Sequence, residues 1–162
     1  MTSPEPSSPG RQSDSEKIGP LGLCVGQRAR RTQTVTMRHL ELYAEITGDR
    51  NPLHFDPDFA ARTRFGRLVA QGGITAGMLN TLVAMDLPGA GTVFLSQSLK
   101  YLAPAYVGDT LTAEIEVVSL KADKPVCQLK ATVVNQAGTT LLEGECWTYT
   151  LVPGPPCRRA PS

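Results

Sequence analysis

Polar and apolar positions change their period along the chain, and each change marks an element. Residues 27–36 (QRARRTQTVT) alternate loosely, as a strand does. The spacing then lengthens: Leu40, Tyr43, Ala44 and Thr47 share one helical face, with Arg38, Glu41 and Glu45 between them. Thr36 suits the N-cap of this helix, and Gly48 suits the residue just past its C-terminus. Asp56-Pro57-Asp58 opens a further helical turn, with proline near its first position, which should carry Phe59, Ala60 and Ala61 inward. From Gly72 to Leu87 the chain is apolar on nearly all sides, through Ile74, Met78, Leu79, Leu82, Val83 and Met85. A helix without a wet face is a buried helix. Gly73, Ala76 and Gly77 leave room for other backbone to approach it, and Pro88-Gly89 ends it.

Period two returns after Gly91. Residues 91–104 set Val93, Leu95, Gln97, Leu99 and Tyr101 against Phe94, Ser96, Ser98 and Lys100. Residues 109–120 place Leu111, Ala113, Ile115 and Val117 on one face, and residues 125–135 place Cys127, Leu129, Ala131 and Val133 likewise. Residues 139–151 complete the set less cleanly. Turn signals separate these runs: Pro104 with Gly108-Asp109, Asp123-Lys124-Pro125, and Asn135 to Gly138. Successive two-period runs with short connections predict an antiparallel sheet, packed by one face on the buried helix. The class is α+β, a sheet wrapped around a central helix.

At 162 residues the chain holds one domain with a sizeable core. We place that domain at 23–152, between a Ser/Pro/Gly-rich N-terminal tail (1–22) and a Pro-rich C-terminal tail (153–162), both expected to be disordered. The net charge of +1 argues against a dedicated nucleic-acid binder. No apolar run approaches the roughly 18 residues of a membrane-spanning helix. Cys24, Cys127, Cys146 and Cys157 are scattered, without a C-x-x-C pair, so neither a zinc site nor a disulfide scaffold is indicated. A reducing compartment is the simplest reading. We expect the cytoplasm, with the mitochondrial matrix as the alternative.

The chemistry is concentrated in Tyr43–Ala60, YAEITGDRNPLHFDPDFA. A carboxylate (Asp49), an amide (Asn51) and an imidazole (His54) fall within six residues there, braced by Pro52 and Pro57. The helix stops before Asp49, and Pro52 drives Asn51 into an extended conformation. These groups are therefore presented from a stiff turn, as acid–base work requires. An ordinary interhelix loop, in which Asp and Asn bond local backbone, explains the same residues. A calcium loop does not: its sixth position would be His54 instead of glycine and its twelfth Ala60 instead of glutamate. No metal site is expected. Arg62, Arg64 and Arg67 form either a basic lip for phosphates or an acidic carrier, or a solvated face.

The run TGDRNPLHFDP resembles the signature of the MaoC-like (R)-specific enoyl-CoA hydratases and 3-hydroxyacyl-thioester dehydratases. Its core is met at Gly48, Asp49, Asn51, Pro52, Leu53, His54, Asp56, Pro57 and Ala60. The similarity continues through LPGAGTVFLSQSLKYLAPAYVGDTLTAEIEV to about Val152. Fixed gaps over so many positions outweigh the plain-loop reading. The resemblance implies a hot-dog fold, a homodimer, and reversible hydration of trans-2-enoyl thioesters carried by coenzyme A or acyl carrier protein, without metal or redox cofactor. It also implies Asp49 and His54 as the groups that activate water, Gly72 as the backbone oxyanion donor, and Asn51 as the residue that orients the pair and binds substrate. One departure is Gln71, where the family usually has His. A hot-dog thioesterase is the nearest alternative, although it usually carries its carboxylate on the central helix, where this chain has none before Asp86. A non-catalytic acyl-binding module is the other.

Overall fold

The computed structural model describes residues 19–151. The C-terminal tail and most of the N-terminal one lie outside that range. Residues 19–22 lie inside it and form a turn, closed by a bond from the Gly22 N–H to the Gly19 carbonyl, with Leu21 packed against the core.

The strands are β1 (Arg28–Thr34), β2 (Thr92–Tyr101), β3 (Thr110–Leu120), β4 (Val126–Val134) and β5 (Thr140–Thr150). Four helices, α1 (Met37–Thr47), α2 (Pro52–Phe55), α3 (Pro57–Ala61) and α4 (Gly72–Met85), all fall between β1 and β2. The sheet is antiparallel throughout, in the order β1-β3-β4-β5-β2. The helical connection therefore runs from one edge of the sheet to the other. Alternation on the central strands holds as expected. Leu111, Ala113, Ile115 and Val117 of β3, with Cys127, Leu129, Ala131 and Val133 of β4, are all buried. They meet Met78, Leu79, Leu82 and Val83 of α4 in one core. Each large aliphatic side chain so covered contributes about 1.5–3 kcal/mol. Burial pushes the Cys127 thiol up to about 12 and the Cys146 thiol up to about 11, so both act as small apolar core residues.

Three expectations change. First, α4 is not covered on every side: Asn80, Thr81, Ala84 and Met85 are exposed, Met85 to 67%. These positions fall on one stripe at helical spacing, and the apolar character of Ala84 and Met85 hid it. Second, the alternation read along β2 is not an inside–outside pattern. Val93, Phe94 and Leu95 are all exposed, because β2 is an edge strand and its register with β5 shifts between Phe94 and Ser96. Third, α3 buries only Ala60; Phe59 lies at the surface beneath the Arg62 guanidinium.

Both ends of α4 are tied down. At its C-terminal end Arg31 of β1 donates to both Asp86 oxygens, at 2.5 and 2.9 Å, and holds that carboxyl below the usual carboxylate range. At its N-terminal end Tyr43 of α1 lies on the bare backbone of Gly73, where a Cβ would sit 1.9 Å from the phenol oxygen. Gly77, one turn on, meets nothing within 4 Å. The two glycines read alike in the sequence and differ in the fold. Gly73→Ala should therefore destabilise the protein by about 1–3 kcal/mol through overpacking. Gly77→Ala should be neutral or stabilising by up to about 1 kcal/mol, as for a helix-interior glycine relieved of its backbone entropy. Denaturant unfolding of the two variants checks the contrast.

Candidate active site

α1 ends as its sequence dictates. Gly48 adopts the left-handed conformation (φ 78°) and its N–H bonds back to the Ala44 carbonyl. Beyond it, short side chains hold the main chain two residues ahead. Thr47 Oγ1 accepts from the Asp49 N–H at 3.2 Å, Asp49 Oδ1 from the Asn51 N–H at 3.2 Å, and Asn51 Oδ1 from the Leu53 N–H at 3.0 Å. Asn51 is extended (φ −54°, ψ 132°), as a residue before proline should be, and it caps α2. His54 lies inside this short helix, so it is presented from an element and not from the turn alone. Asp56 Oδ1 accepts from the Phe59 N–H as the cap of α3, which commits that oxygen to folding.

This chain of local bonds leaves Asp49 Oδ2 facing His54 Nε2 at 3.6 Å. On its other side the ring donates from Nδ1 to the Val69 carbonyl at 2.6 Å. A carbonyl only accepts, so the Nδ1–H fixes the tautomer and leaves Nε2 of the neutral ring bare. Two acceptors then confront one another across a gap slightly too long for a direct hydrogen bond. A molecule with two O–H donors satisfies both at once. The His54 side chain is 11% exposed and that of Asp49 40%, so the imidazole is held and the carboxylate stays open to solvent.

His54 and Gly72 line one cavity of about 320 Å³. Its walls are mostly apolar, including Leu53, Ala70, Ala105 and Leu141, with Thr75, Tyr101 and Arg64 as the polar exceptions. Gly72 opens α4, where backbone N–H groups lack intrahelical partners and the helix dipole favours negative charge. A Cβ at Gly72 would come within 3.0 Å of the Tyr101 ring, so this position stays bare and its backbone accessible. An open amide of this kind can receive a developing oxyanion.

Of the residues expected from the sequence, His54 and Gly72 thus line one cavity, and Asp49, outside its lining, joins them through His54 Nε2. Asn51 does not line the cavity; its oxygen is occupied in the cap of α2, and its own N–H orients Asp49. Sequence reasoning missed Val69, whose carbonyl selects the His54 tautomer, and Tyr101 and Thr75 in the wall. A backbone carbonyl carries no signature in its residue type. Arg64, weighed as one of a basic lip, also lines the cavity. Among the described residues Arg28, Arg30, Arg31 and Arg38 pair with carboxylates, whereas Arg62 and Arg64 have none within 4.0 Å. Asp86 lies at the opposite end of α4, paired with Arg31, and takes no part in the cavity.

A family model described as MaoC like domain matches residues 25–150. The (R)-specific enoyl-CoA hydratase of Aeromonas caviae is 40% identical over 123 residues, which span 76% of this chain and 92% of that protein. The 3-hydroxybutyryl-CoA dehydratase of Methylorubrum extorquens is 41% identical over 103 residues, 64% of this chain and 65% of its own length. The solved (R)-hydratase from A. caviae involved in PHA biosynthesis superimposes with a TM-score of 0.77 at 38% identity, covering 80% of this chain and 98% of that one. The curled sheet on α4 is the hot-dog fold.

The ring geometry is open to direct measurement. Nitrogen NMR of His54 in the neutral state should show a protonated Nδ1 and a bare Nε2. The opposite tautomer would mean that the bond to Val69 does not form in solution.

Proposed function

The chain belongs to the MaoC-like domain family, and we propose that it catalyses the reversible hydration of trans-2-enoyl thioesters to (R)-3-hydroxyacyl thioesters. The observation that carries this reading is the bare His54 Nε2 facing Asp49 Oδ2 at 3.6 Å beside the amide end of α4. One water donating to both acceptors has its oxygen lone pairs turned toward substrate. As that oxygen adds to C3, one O–H breaks and its proton passes to the Asp49–His54 pair. The C2=C3 electrons move onto the thioester oxygen, where the Gly72 N–H receives the charge. A single backbone donor of that kind is worth roughly 3–4 kcal/mol of barrier. The enolate then takes a proton at C2 from the pair, which returns both groups to their starting state. Dehydration is the same path reversed. No hydride or electron transfer enters the balance.

The apolar wall suits an acyl chain, and unpaired Arg62 and Arg64 suit the phosphate of either carrier, coenzyme A or acyl carrier protein. The sheet edges support a homodimer. β1 carries Arg28, Arg30 and Arg31 outward, which discourages pairing, whereas β2 presents Val93, Phe94 and Leu95 on an uncovered edge. A second copy joined along β2 would cover it.

Purified protein should remove the enone absorbance of crotonyl-CoA and form the 3-hydroxy product; no change at high enzyme concentration would exclude the activity. Asp49→Asn and His54→Ala should each lose at least about 100-fold in kcat, the contribution expected of positioned acid–base groups. Wild-type rates in both would remove the mechanism. In solution the mass by light scattering should be that of a dimer, and Val93→Lys with Leu95→Lys should shift it to the monomer.

A further inference from the structure

Gln71 precedes Gly72 and is 1% exposed. Although it occupies the N-cap position of α4, its side chain makes no cap bond there. Its Nε2 instead donates to the Leu40 carbonyl of α1 at 3.2 Å. Its Oε1 is buried with no hydrogen-bond partner, alone in this among the buried side-chain nitrogens and oxygens of the described residues. An unpaired buried acceptor forfeits its hydration and weakens the fold. An apolar side chain of equal length would fill the same space without that cost. Folding alone therefore gives no reason for an amide here.

The placement of its neighbours gives one. The Val69 carbonyl holds the His54 ring, Gln71 holds α1, and Gly72 opens α4 in the cavity wall. α1 in turn delivers Asp49, two residues past its end. Within four residues this strap touches each part of the constellation. The packing of Tyr43 on Gly73 sets how closely α1 and α4 approach, but a packing contact alone leaves their register free. A directional hydrogen bond to one carbonyl does not. We propose that Gln71 is a positioning residue, which fixes the Gly72 N–H relative to Asp49 and His54 through its bond to Leu40. This rests on the hydratase reading above.

The test is Gln71→Met, which keeps the length of the side chain and loses both its polar atoms. Its Tm should equal or exceed that of the wild type. Its kcat on crotonyl-CoA should fall about 10- to 100-fold while KM stays within about threefold, the pattern of a misplaced transition-state contact. The carbonyl stretch of a bound enoyl thioester should move back toward its solution value, because the oxyanion donor no longer meets it. A kcat within about twofold of wild type, or a rise confined to KM, overturns the inference. So does a lowered Tm with activity lost only in proportion to the unfolded fraction. Should Gln71→Met not fold, Gln71→Asn, whose amide is one methylene too short to reach Leu40, carries the same readouts. A wild-type protein inactive on enoyl thioesters overturns the hydratase reading and this inference together. An active wild type with an unaffected variant overturns the inference alone.

Discussion

Two helices of this protein meet at a point where one of them carries no side chain. Tyr43 of α1 rests on the backbone of Gly73, and even a single methyl group there would overlap the phenol. That contact brings the end of α1, from which Asp49 emerges, beside the start of α4, where Gly72 offers its amide. Close packing fixes how near the two helices approach at that point. The remaining anchors act on the same two helices. Arg31 fixes the far end of α4 against β1, and the buried face of α4 is locked into β3 and β4.

Between α1 and α2 the chain resolves a competition that its sequence left open. Asp49 and Asn51 do what such residues do in ordinary loops, accepting main-chain N–H groups two residues ahead. Asp49 nevertheless spends only one oxygen in this way. The other faces His54, whose orientation is set from the opposite side by Val69. Different oxygens of one carboxylate thus hold the turn and face His54. The local bonds hold the second oxygen in place, so the turn that looks structural also sets the Asp49–His54 geometry.

Much of this was legible because it is local. Thr36 and Gly48 mark the ends of α1, and Pro52 forces the extended Asn51. β3 and β4 bury the alternate residues that their pattern names, since both have sheet neighbours on either side. β2 defeats the same reasoning. Its alternation is that of a central strand, while its place in the sheet is an edge with a register shift. Strand order is a property of the whole topology, and no window of sequence contains it. The site divides similarly. Asp49 and His54 stand five positions apart and could be paired from the motif. Val69 and Tyr101 reach the cavity through long-range packing and have no such mark.

That division follows the architecture. Asp49, His54 and Gly72 all lie in the crossover between β1 and β2, which is braced along its length by caps, prolines and the α1–α4 contact. Apart from the Tyr101 phenol, the sheet contributes no titratable side chain to the cavity. It supplies the end of β2 at Tyr101, the segment Leu102–Ala105 that follows, and Leu141 on β5. These residues are wall. Exchanges among them would alter the room in the cavity, and Tyr101, which packs against Gly72, would also touch the start of α4. The candidate proton-transfer groups therefore lie on the crossover, and much of the cavity wall is supplied by the strand ends.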